Sequence, residues 1–102
     1  MRRFGISRRA LADFDEILDY LTGVAGHAVA DKYGRDIQAS IVRLAGMPGL
    51  GSPRPELGAD VKVVIVRPYL VFYEASADED SVFVLRILHG RRNITRAVLR
   101  LR

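Results

Sequence analysis

The chain has 102 residues, 49% of them hydrophobic and 27% charged, with a formal net charge of +4. This is the composition of a globular protein with one working core, so one domain over residues 1–102 is expected. The absence of cysteine excludes disulfide frameworks and thiolate metal sites. No apolar run approaches the ~20 residues that span a bilayer, and no apolar h-region follows Met1-Arg2-Arg3, so a cytoplasmic location is expected.

Charge is distributed unevenly along the chain. Every Asp and Glu lies at or before Asp80, and after it stand Arg86, Arg91, Arg92, Arg96, Arg100 and Arg102. Arg2, Arg3, Arg8 and Arg9 form a second basic group at the start. Basic ends point to an anionic partner, either an acidic peptide or a nucleic acid. Arginine is favoured over lysine where planar, bidentate contacts matter, although a solvated basic tail accounts for the same residues.

Arg3 to Ser7 reads as a short first strand, with Ser7 as a helix N-cap. From Arg8 the period changes. Ala10, Phe14, Ile17 and Leu21 share one face, which predicts an amphipathic helix of about four turns with Asp13, Asp15, Glu16 and Asp19 mostly on its solvent side. Thr22 to Gly26 reads as the connection, with His27 in it as an exposed loop residue. A second stripe, Ala30, Tyr33, Ile37, Ile41 and Leu44, predicts an antiparallel partner helix interrupted in propensity by Gly34.

Gly49 to Asp60, rich in Gly and Pro, reads as a loop. Three apolar runs follow, Val61–Val66, Tyr69–Ala75 and Ser81–His89, joined by turns short enough to require antiparallel neighbours. In the last run Phe83, Leu85 and Ile87 alternate against Val82, Val84, Arg86 and Leu88. The segment from Ile94 to Leu101 suits a closing helical turn. The fold expected is therefore α+β: an N-terminal strand, a helical hairpin, then a three-stranded antiparallel meander in one small sheet. The last two strands are apolar on both faces, so the C-terminal tail or a partner must cover the side away from the helices.

Chemistry is sparse. His89, beside Gly90-Arg91-Arg92, is the better placed of two histidines for general base work, though it equally suits a strand end. Neither Asp78-Glu79-Asp80 nor the helix acids have metal-ligand spacing, and no cofactor or phosphate-loop motif occurs. Tyr33, Tyr69, Phe72 and Tyr73 fit core positions better than stacking platforms.

The order of motifs is nonetheless specific. Ala10 to Tyr20, Ala30-Asp31-Lys32-Tyr33, Met47-Pro48-Gly49-Leu50-Gly51 with Arg54-Pro55-Glu56-Leu57, Tyr69 to Tyr73, and Val84 to Asn93 together resemble the RelE/ParE toxin superfamily. The ending is similar to that of ParE-like members. The resemblance implies a cognate ParD-like antitoxin whose acidic C-terminal segment wraps the toxin, in a hetero-oligomeric complex held on operator DNA through the antitoxin. It also divides by target. RelE-like members cleave messenger RNA on the ribosome; ParE-like members poison DNA gyrase. Where RelE-like enzymes carry an arginine in the third-strand motif this chain has Leu70, and where they carry a tyrosine on the C-terminal segment it has Val98. The resemblance thus implies gyrase inhibition without catalysis, with Arg86, Arg91, Arg92 and Arg96 as target-binding residues. The alternative is a ribosome-dependent nuclease using His89 and Arg92, with Arg67 or Arg86 in support. A further alternative is a non-toxic binding partner or co-repressor.

Overall fold

The structure, a computed structural model, describes residues 3–99. Arg2, Arg100, Leu101 and Arg102, read above as part of the basic ends and tail, lie outside the described residues. The elements are β1 (Arg3–Ile6), α1 (Arg8–Ala25), α2 (His27–Gly46), β2 (Ser52–Pro53), β3 (Val61–Val66), β4 (Tyr69–Ala75), β5 (Ser81–His89) and α3 (Arg96–Leu99). The sheet has five strands in the order β1-β5-β4-β3-β2. The expected meander is present as β3-β4-β5, but the sheet is larger and mixed. β1 runs parallel to β5, and the two-residue β2, inside the segment read as pure loop, pairs with β3. None of the helices is long and apolar enough to cross a membrane, among the described residues.

The helical hairpin is tighter than its sequence suggests. α1 continues through Gly23 to Ala25, five turns rather than four, and only Gly26 separates it from α2. Gly26 has φ 92°, a conformation L side chains rarely adopt, and its N–H donates to the carbonyls of Leu21 and Thr22. His27 therefore opens α2 rather than sitting in a loop. Gly34 is explained by packing: a Cβ there would lie 3.2 Å from Leu18 Cδ2, so the missing side chain lets the helices close.

Side chains of the first α1 turns complete the edge of β5 that β1 leaves open. β1 ends opposite Val84. Beyond it, Ser7 Oγ caps α1 by accepting from Ala10 N–H at 2.9 Å, and donates to the Leu85 carbonyl at 2.7 Å. Six residues on, Asp13 Oδ2 accepts from the Ile87 N–H at 3.0 Å. A buried strand edge thus has its polar groups filled by side chains instead of another strand.

Asp13 also corrects the expectation of a solvated acidic face, because it is only 5% exposed. It receives a bidentate fork from Arg86, Nε to Oδ2 at 2.7 Å and Nη2 to Oδ1 at 2.8 Å. Arg86 is itself 1% exposed. The hydrogen bond to Asp13 raises the guanidinium's pKa against the opposing pull of burial, so the arginine stays charged inside the protein. Its Nη1 reaches the Val98 carbonyl at 3.0 Å and ties the tail to the sheet.

β5 carries a bulge beside this arginine. Tyr73 pairs with Val84 but Phe72 pairs with Arg86, leaving Leu85 as an extra residue. The alternation read from the sequence therefore changes phase. Val82, Val84 and Ile87 face the helices; Leu85 and Leu88 face the other side. That second side packs Val61, Val63 and Phe72 against Leu99, Ile94 and Val98 of the tail and Leu57 of the loop. The tail thus supplies cover for the second face within this chain.

Two outcomes are expected. Replacing Asp13 by Ala strands a buried guanidinium and should lower the unfolding free energy by about 3–5 kcal/mol in urea titration, while Asp13→Leu with Arg86→Met should recover most of it. A single-variant loss below about 1 kcal/mol is the behaviour of an exposed pair and contradicts this burial. Tyr73 Oη donates to the Pro48 carbonyl at 2.8 Å and accepts from Gly51 N–H at 2.8 Å, and burial raises its pKa above the ordinary 10.0. A raised tyrosine pKa leaves stability intact below pH 10.0 and removes it as pH climbs through the folded-state value. The urea midpoint should therefore decline above that pH, less steeply in Tyr73→Phe; parallel profiles for the two proteins would contradict the assignment.

Candidate functional site

Where α1 and α2 meet the end of the sheet, they enclose an open cleft of about 550 Å3. Its apolar wall is formed by Ile17 and Leu21 of α1, Pro68 of the β3–β4 turn, and Ile87 of β5. The helices position the polar residues: Asp13, Glu16 and Tyr20 lie on one α1 strip at i, i+3 and i+7, and α2 adds Tyr33. Tyr69 and His89, directly opposite each other in the β4–β5 ladder, close the sheet side, and Arg92 stands just beyond.

The rings meet edge to face. Tyr33 and Tyr69 have centroids 5.9 Å apart at 80°, and Tyr69 and His89 are 5.6 Å apart at 84°. Burial, followed by the neighbouring phenols of Tyr33 and Tyr20, pushes the Tyr69 hydroxyl up, so it remains a hydrogen-bond donor at neutral pH. The outer Tyr33 environment already holds a cation: Lys32 Nζ lies 4.9 Å from the ring centroid while pairing with Asp36 at 3.0 Å. His89 Nδ1 accepts from the Arg91 N–H at 3.0 Å, which leaves Nε2 as its other ring nitrogen.

The structure separates the residues expected to bind a target. Arg91, Arg92 and Arg96 are exposed on the segment after β5. Arg86 is interior, contrary to the expectation of a target contact; its guanidinium is bonded to Asp13, where it ties β5 to α1. His89 and Arg92, the pair of the nuclease reading, do share one cleft, while Arg67 is exposed in the neighbouring turn and absent from the cleft lining. Leu70 and Val98, which stand at the two divergent nuclease positions, both pack into the second apolar layer. Among the described residues, no group of three His, Asp or Glu side chains is placed to hold a metal ion.

Sequence reasoning missed Glu16, Tyr20, Tyr33 and Tyr69 as one constellation, because they come from three elements. For Asp13 a signal existed. It falls between Ala10 and Ile17 on the apolar stripe, where an acid needs an internal partner.

Comparison with known proteins agrees with this architecture. Residues 5–94 match the family described as the ParE toxin of the type II toxin-antitoxin system, parDE. The chain is 34% identical over 93 residues to toxin ParE1 of Caulobacter vibrioides, covering 91% of this chain and 94% of that protein. It is 29% identical over 94 residues to toxin ParE1 of Mycobacterium tuberculosis, covering 92% and 95%. Among solved structures, the chromosomal ParDE system from P. aeruginosa superposes with TM-score 0.72 at 25% identity, over 87% of this chain and 96% of that one. Isolated E. coli RelE shares the fold, with TM-score 0.59 at 16% identity over 91% and 88% of the two chains. With a match across its strands and helices alike, this chain belongs to the ParE toxin family of type II toxin-antitoxin systems.

Proposed function

We propose that this toxin arrests DNA gyrase by binding it, without catalysis, and is neutralised by a cognate antitoxin. The observation that carries the reading is the fate of the two divergent nuclease positions. Leu70 and Val98 are packing residues, and the Val98 carbonyl is fastened to Arg86. Cleaving RNA needs groups that move a proton and stabilise charge on phosphorus; hydrocarbon at both positions does neither. The exposed Arg91, Arg92 and Arg96 then form the target-binding surface, displayed on a tail held by the Arg86 bond and by Leu99. An antitoxin partner is supported by the ParDE and RelBE toxin-antitoxin systems among the structural neighbours. A basic surface of this kind suits an acidic wrapping segment.

The nuclease reading keeps one specific observation in its favour, the convergence of His89 and Arg92 on one cleft. Messages cleaved in a ribosome-containing extract, and spared by His89→Ala and Arg92→Ala, would establish it.

Purified gyrase with ATP decides the main reading. The expected result is loss of supercoiling with accumulation of cleaved DNA, weakened on the order of tenfold when Arg91 and Arg92 are both replaced by Ala. These side chains are exposed, so the variant should keep its fold, whereas truncation after Gly90 would also strip Val98 and Leu99 from the second apolar layer. Unchanged supercoiling from a folded protein would overturn the gyrase reading.

A further inference from the structure

We infer that the cleft between α1, α2 and the β4–β5 end binds a nucleotide, with the base among Tyr20, Tyr33 and Tyr69 and the phosphate on Arg92. Three of the chain's four tyrosines line this one cleft, together with the His89 ring. Aromatic side chains are general platforms for base stacking. Tyr20 is 65% exposed at the rim, so a face of its ring is open to an incoming base.

The polar groups argue for a base rather than for an apolar anchor from a peptide. The Glu16 carboxylate accepts only, Arg92 donates only, and the phenols do both. A Leu or Phe side chain filling the cleft would desolvate these groups and return no hydrogen bonds. A base brings donors and acceptors on its rim and a flat apolar face, and its phosphate supplies an anion for Arg92. Asp13, although it lines the cleft, is already held by Arg86 and Ile87. The cleft volume, about 550 Å3, lies within the usual range for small-ligand sites. A free mononucleotide and a nucleotide within single-stranded RNA share this chemistry. The inference concerns binding and is independent of the gyrase reading: inhibition of supercoiling by a protein that binds no nucleotide would remove this inference and leave that one standing.

The test uses the intact chain, the 5′-monophosphates of guanosine, adenosine, cytidine and uridine, guanosine itself, and a short single-stranded RNA. Affinity is read by equilibrium dialysis and location by NMR of the tyrosine rings. Tyr73, bonded to Pro48 and Gly51 and absent from the cleft lining, is an internal control. The expected result is saturable binding that shifts Tyr20, Tyr33 and Tyr69 but not Tyr73, and that weakens about tenfold in Tyr20→Ala. Arg92→Ala should weaken the monophosphates and leave guanosine unaffected. Both substituted side chains are exposed, and an unchanged circular dichroism spectrum confirms the fold. Tighter binding of RNA than of any monophosphate identifies the polymer as the source; equal or weaker binding identifies the free nucleotide. Absence of saturable binding, or binding that leaves the three rings unshifted or survives both substitutions, overturns the inference. So does an acidic peptide that moves the same rings when no nucleotide does.

Discussion

The buried fork between Asp13 and Arg86 is the interaction on which the rest of the molecule depends. It joins the first long helix to the last strand across 73 positions of sequence, and the arginine's remaining bond reaches the tail. Burying such a pair is not in itself a large source of stability, because removing two charges from water costs about as much as their attraction returns. What the pair adds is connection: α1, β5 and the tail meet at one guanidinium and one carboxylate. Only one placement of α1 against β5 satisfies the fork, the Ile87 N–H and the Val98 carbonyl together. The helical hairpin, the central strand and the tail are thereby set in one mutual arrangement, and both the cleft and the arginine-bearing segment take their positions from it.

Much of the fold was legible in the sequence because it is written in periodicity. The α1 and α2 stripes, the β3–β4–β5 runs and the Ser7 cap depend on neighbours a few residues away, and each is found where the pattern places it. Apart from the hairpin connection, where α1 runs on through Ala25 and His27 opens α2, what escaped was long-range. β1 pairing in parallel with β5 cannot be read from either strand alone, and a β2 of only two residues has no period at all. The bulge at Leu85 breaks strict alternation, and Arg86, read as a target contact with the other arginines of the chain's end, is buried against Asp13. The family pattern around Val84 to Asn93 held the arginines together in sequence, yet the backbone divides them between interior and exterior.

The candidate site shows the same division. His89 and Arg92 stand out because they are rare or charged residues at a strand end. The tyrosines and Glu16 do not, since each has a sufficient explanation as helix or strand packing until the elements are assembled. A cleft made from α1, α2, a turn and β5 has no linear signature, whereas a basic tail does.

The β5 bulge has a consequence for how this strand tolerates change. Up to Val84 even-numbered positions face the helices, and from Ile87 onward odd-numbered ones do. A single inserted residue thus acts as a parity switch. Deleting it would restore an unbroken rhythm and leave Val84 and Ile87 both on the helix side. Away from the bulge, a change of one residue would exchange the faces of the side chains beyond it, so Leu85 marks the place where this strand can lose a residue and keep its polarity.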